Sequence, residues 1–150
     1  MQINPDKTEL LLVGSERRLK EINTTGNSMI AGGHVGFCDA VRILGVTIDS
    51  SLSFDKHVSS IVQSCNYHIR ALRHIRPLIS QKLACQIACS IVASRLDYCK
   101  SILYGTSSYN ILRLQRVQNN LARVVCRESA RAHAEPLLHK LHWLPIECRI

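Results

Sequence analysis

The period of the apolar positions changes near residue 50. Before it, short apolar runs alternate with stretches rich in Gly, Asn and Thr. Leu10-Leu11-Leu12-Val13, closed by Gly14, reads as a buried strand. Thr24-Thr25-Gly26-Asn27-Ser28 reads as a turn between two edge strands around Leu19–Ile22 and Met29–Ile30. Val41 to Ile48 is a further strand with a tight glycine, Gly45, inside it. The first third of the chain is therefore expected to be β-rich.

After Ser53 the period becomes helical. Ser53 is a good N-cap, with Asp55 in the first turn. Phe54, Val58, Ile61, Val62, Cys65, Ile69 and Leu72 recur at steps of three and four and form one stripe. Pro77 predicts the stop. Ser80 caps a second helix over residues 81–96 that is apolar on most sides, the mark of a central helix. A third runs from about Tyr109 to Cys126, with Leu114, Val117, Leu121, Val124 and Val125 on its core face. Arg113, Arg116, Arg123 and Arg127 project from the opposite face within about one quadrant at 3.6 residues per turn. Pro136 and Pro145 each suit the first turn of a short helix, and Trp143 is placed to pack such a helix start against its neighbour. The last helix has barely begun at Ile150, so the chain is expected to continue. The fold class is α+β, with a small β-rich part followed by a helical bundle.

Charge sharpens this picture. Nineteen Lys and Arg oppose eleven Asp and Glu, giving +8, which favours polyanionic partners. The arginine face of the third helix can track phosphates, or it can be a solvated helix face. Residues 1–13 carry Asp6, Lys7 and Glu9 and lack the apolar core of a secretory leader, and no run is long enough to span a bilayer. An intracellular protein of the nucleus or cytoplasm, not secreted and not membrane-bound, is expected. The seven cysteines sit mostly among apolar neighbours and read as reduced, buried, small hydrophobes. Cys85 and Cys89 are four apart and His139 and His142 three apart, but no Cys-x-x-Cys pair exists and structural zinc spacings are absent. No metal site is expected in this chain.

Six short strings occur in an informative order: Asn4-Pro5-Asp6-Lys7-Thr8-Glu9-Leu10, Ile43-Leu44-Gly45-Val46-Thr47-Ile48-Asp49, Leu52-Ser53-Phe54-Asp55-Lys56-His57, Ser94-Arg95-Leu96-Asp97-Tyr98-Cys99, Leu114-Gln115-Arg116-Val117-Gln118-Asn119 and Leu141-His142-Trp143-Leu144-Pro145. Together they resemble the reverse transcriptase of non-LTR (LINE-like, Jockey and CR1-type) retrotransposons, over nearly the whole chain. The resemblance implies an organisation. Residues 1–52 would be palm-end strands with a primer-grip-like hairpin, 53–130 a thumb-like helical bundle, and 131–150 the start of a following helical connection.

The resemblance also implies roles. Lys7 corresponds to a lysine proposed to donate a proton to the leaving pyrophosphate. Leu44 and Gly45 correspond to the primer grip. Lys56, His57, Arg70 and Arg73 lie on the first thumb-like helix, nearest an RNA–DNA template–primer duplex. The two catalytic Mg2+ ions of the parent enzyme need carboxylates from earlier palm segments. Here no adjacent Asp pair exists, and Asp39, Asp49, Asp55 and Asp97 are scattered. The chain is expected to be catalytically incomplete alone, with no cofactor of its own. Its unpaired palm edge is expected to favour self-association. A second expectation is a domesticated or degraded element product that acts as a helical protein-interaction module or has no function.

Overall fold

The computed structural model describes Asn4, residues 7–22, 27–30 and 32–150. The fold is α+β. The chain divides into two compact units, Met1–His57 and Val58–Ile150.

In the first unit, α1 spans Glu16–Glu21 behind Ser15, whose hydroxyl accepts from the Arg18 amide. This corrects the edge strand expected at Leu19–Ile22. The serine cap and the helix-forming Glu-Arg-Arg-Leu-Lys-Glu run outweigh the single β-branched Ile22. The expected turn at Thr24–Gly26 lies outside the described residues. β1 (Asn27–Ile30) pairs antiparallel with β2 (Gly33–Gly36). Leu10–Val13 is not a buried strand. It makes one parallel bridge, Leu10 to Phe37, and Val13 is exposed. Its neighbours tie it at both ends instead: the Cys38 amide donates to the Leu10 carbonyl (2.8 Å) and the Gly14 amide to that of Ser50 (3.0 Å).

Residues 41–48 form a hairpin rather than one strand. β3 (Ala40–Ile43) pairs antiparallel with β4 (Val46–Asp49), Ile43 facing Val46 across a two-residue turn. Leu44 (φ +48°) and Gly45 (φ +84°) make that turn. Two positive φ values are what a right-twisted hairpin requires.

The second unit is helical. α2 (Asp55–Ile75) starts in the first unit and continues through it. It ends in a 3-10 turn, Arg76–Leu78, at Pro77. α3 (Gln81–Ile87), capped by Ser80, runs without a break into a π-helical segment, Ala88–Ala93, and then α4 (Ser94–Asp97). Its inward residues Ala84, Ala88, Val92 and Leu96 are all buried. α5 (Ser108–Cys126) is the hub. It packs on α3, the π segment, α6 (Glu135–Leu141) and the 3-10 turn Ile146–Cys148. Its core positions Leu114, Val117, Leu121, Val124 and Val125 are buried. α2 and α5 run in the same direction, because Ser59 meets Arg113, Arg73 meets Asn120, and Arg76 meets Val125. Of the cysteines, Cys65 alone is fully enclosed, and burial pushes its thiol up to about 11. Cys89 and Cys148 are exposed, which corrects the expectation of uniformly buried thiols.

Two polar clusters hold this unit in register. Arg76 is only 6% exposed. Its guanidinium donates twice to the Val125 carbonyl (3.0 and 2.8 Å) and once to that of Ile79 (2.8 Å). The Val125 carbonyl is among the last four of α5, which have no partner within the helix. A cation there also meets the negative end of the helix dipole. At the other cluster, buried Gln118 donates to the Leu144 carbonyl (2.8 Å), while Gln115 accepts from the Ile146 amide (2.8 Å) and donates to Gln118 (3.0 Å). The Leu-Gln-Arg-Val-Gln-Asn and Leu-His-Trp-Leu-Pro strings are thus bonded to each other.

Arg76→Ala removes three charge-assisted bonds and leaves buried carbonyls unmet. It should destabilise the helical unit by about 2–4 kcal/mol, read as a lower denaturant midpoint. Arg76→Lys, which keeps the charge but not the fork, should recover only part of that loss.

Candidate nucleic-acid interface

The hairpin and α2 are joined by a short segment that Asp49 organises. Asp49 ends β4 and is buried. Its carboxylate accepts from the amides of Ser51 (3.2 Å), Ser53 (2.9 Å) and Phe54 (2.8 Å), and from the hydroxyls of Ser51 (2.8 Å) and Ser53 (3.2 Å). The Ser53 hydroxyl accepts from the Asp55 amide (3.2 Å). The helix start expected of Ser53 alone is therefore shared with a carboxylate from the preceding strand. Burial works against the charge of Asp49, but these hydrogen bonds outweigh it and hold its pKa below the ordinary 3.8.

This joint sets two site candidates side by side in sequence. The hairpin tip presents Leu44, 85% exposed, on a left-handed backbone that suits Gly or Asn and disfavours leucine by roughly 1 kcal/mol. Lys56 is exposed in the first turn of α2. His57 is not on the surface. It is 3% exposed, and its Nδ1 accepts from the Thr47 amide of β4 (3.4 Å). Its Nε2 has no partner among the described residues. This corrects the expectation that His57 contacts nucleic acid: the ring faces the hairpin, so it cannot reach a phosphate. Burial, then the charge of Arg42, lowers its pKa from 6.5. Lys7 is exposed, its amide bonded to the Asn4 carbonyl (3.2 Å); Pro5 and Asp6 of its motif lie outside the described residues.

In the helical unit, Arg70 and Arg73 are exposed on α2, and Arg73 donates to the Asn120 side chain (2.9 Å). The four arginines of α5 do not form one continuous stripe. Arg113 turns to α2 and donates to Ser59 (2.7 Å), with its guanidinium 5.5 Å from the Tyr109 ring centre. Arg116 is exposed. Arg123 donates to the Ala132 carbonyl (2.8 Å), and Arg127 has left the helix as a left-handed C-cap (φ +59°). Arg73, Arg123 and Arg127 instead meet in one cleft of about 370 Å³, with Arg76 at its wall. Arg76 was not a site candidate in the sequence. It stands beside Pro77, where the pattern signals only a helix stop.

The described carboxylates are not gathered as the two-metal centre of a polymerase would need. Among the described residues no group of three His, Cys, Asp or Glu converges as metal ligands would. The Asp49 carboxylate is occupied by five donors, and Asp97 pairs with Arg149 and Lys100.

The two lowered pKa values have the same consequence. The unfolded chain takes each proton before the folded one, so the contribution of His57 is whole above pH 6.5 and drains away as pH falls through its lower folded value. Asp49 does the same below 3.8. Acidification should loosen the hairpin–helix joint in two stages, read as faster hydrogen exchange at the Thr47 and Phe54 amides. His57→Phe should remove the first stage and Asp49→Asn the second. A single transition near pH 4 in the parent protein would contradict this.

Compared with known proteins, the chain matches no family model, no curated protein and no solved structure.

Proposed function

We infer that the chain is the palm-end and thumb portion of an RNA-directed DNA polymerase of a non-LTR mobile element. In this reading it grips the primer end and clamps an RNA–DNA template–primer duplex, and performs no chemistry of its own. One observation carries the reading: a tight hairpin with an exposed apolar tip leads, through a carboxylate-locked joint, directly into a long helix with exposed Lys56, Arg70 and Arg73. The hairpin supplies the close backbone approach a sugar–phosphate needs, and the cations supply sequence-independent attraction. Arg113, Arg116, Arg123 and Arg127 add positive charge from α5. Lys7 acts as a proton donor only when the rest of the palm is present. The Mg2+ of the parent activity then belongs to segments other than this one. The reading places the protein in the nucleus or cytoplasm, and lets it self-associate through the short two-stranded sheets of its first unit. Among the described residues no helix is long and apolar enough to cross a membrane.

Binding to an RNA–DNA duplex should weaken steeply with salt. Lys56→Ala with Arg70→Ala should reduce the slope of log K against log salt by about 2 units. Filter binding at several salt concentrations checks this, and no affinity at low salt would favour the protein-interaction module instead.

Leu44→Asn gives the turn its preferred Asn-Gly pair. It should raise the stability of the hairpin by about 0.5–1 kcal/mol while lowering duplex affinity. A gain in stability with unchanged affinity would remove Leu44 from the interface.

A further inference from the structure

The cleft between the end of α2 and the end of α5 has an unusual charge balance. Arg73, Arg76, Arg123 and Arg127 line it, with Asn120, Val124, Pro77 and Ala130, against a single acid, Glu128. Among the described residues none of these four arginines forms a salt bridge. Neutral acceptors hold three of them: Asn120 for Arg73, the Val125 and Ile79 carbonyls for Arg76, and the Ala132 carbonyl for Arg123. These acceptors orient the guanidinium groups but leave their charge uncompensated. Four arginine side chains line one concavity, and a bound anion offsets the like charge they bring to it. Arg76 and Arg123 are also fixed by these bonds, so little side-chain freedom remains to be lost on binding.

The arrangement favours one anion class. Four arginines less one glutamate leave three positive charges. The four arginines come from α2, the turn after it, α5 and its cap, so the positive charge around the cleft is supplied by separate elements. A group with two negative charges and three free oxygens satisfies both features better than a backbone diester with one charge.

We propose that this cleft binds a terminal phosphate dianion, carried by a phosphorylated nucleic-acid end or by a small phosphomonoester. The site shares three arginines with the nucleic-acid reading above but rests on charge balance and concavity, and it stands or falls separately.

The test uses the full chain, with orthophosphate as probe. Melting is followed against phosphate at constant ionic strength. A saturable rise in Tm is expected, about 5 °C at tenfold excess over the half-saturation point. General salting effects on the fold rise without saturating. Arg127 is the informative position, because its φ of +59° is one that glycine adopts freely. Arg127→Gly therefore removes a charge without loading the backbone, and should weaken phosphate about tenfold. Arg73→Gln should act in the same direction. No saturable rise, or one unchanged in Arg127→Gly, overturns the proposal. A second arm compares one RNA–DNA duplex with a 5′-phosphate or a 5′-hydroxyl. About tenfold preference for the phosphate, abolished by Arg127→Gly, identifies a nucleic-acid end. Equal binding with the orthophosphate response intact identifies a small phosphomonoester. Arg70 lies outside the cleft, so failure of duplex binding there leaves this test unaffected.

Discussion

The helical unit depends on how the C-terminus of α5 is closed. The last four carbonyls of a helix lack partners within it, and here Val124 and Val125 are buried just before the end of α5, so the protein itself supplies donors. Here no glycine cap is available. Arg127 takes the left-handed position, the Glu128 amide returns to the Arg123 carbonyl (2.9 Å), and Arg76 reaches from the end of α2 to the Val125 carbonyl. One guanidinium therefore ties the end of α2, the end of α5 and the segment that leads into α3 to one another. The basic cleft follows from that arrangement. A carboxylate partner for Arg76 would have neutralised it, whereas carbonyl partners leave the charge in place.

The long helices were legible in the sequence because burial follows period. Val58, Cys65, Ile69 and Leu72 of the α2 stripe are buried, as are the core positions of α5. The N-terminal third was less legible. Leu10–Val13 is apolar enough for a strand, but strand formation needs a paired neighbour, which four residues cannot specify alone. Leu19 and Ile22 alone carry no sign of a helix; that sign lies in Ser15, whose hydroxyl caps it four residues upstream of Leu19. The hairpin was written in Leu44-Gly45, yet an apolar residue at a positive φ goes against turn preferences, so the run read as one strand.

The site was legible in part. Arg73, Arg123 and Arg127 were recognisable as cations, but a periodicity argument treats a helix in isolation and assigned Arg123 and Arg127 to one open face. Tertiary contacts redirected them. His57 shows the same limit in reverse. One residue after an exposed lysine, it turns inward because the adjacent strand offers an amide to its ring. Gln115 and Gln118 were invisible as structural residues, because a glutamine on a helix gives no sign that a distant loop will need its amide.

The central helix carries a further lesson in its π segment. Its buried residues, Ala84, Ala88, Val92 and Leu96, recur every four positions. A regular α-helix turns about 100° per residue, so each step of four overshoots by about 40°. Three such steps would swing Leu96 far from the line of Ala84. The wider i→i+5 turns at Ala88–Ala93 take part of that rotation back. The segment acts as a vernier: the buried side chains keep a spacing of four, and the wider turns of the backbone hold them closer to one line.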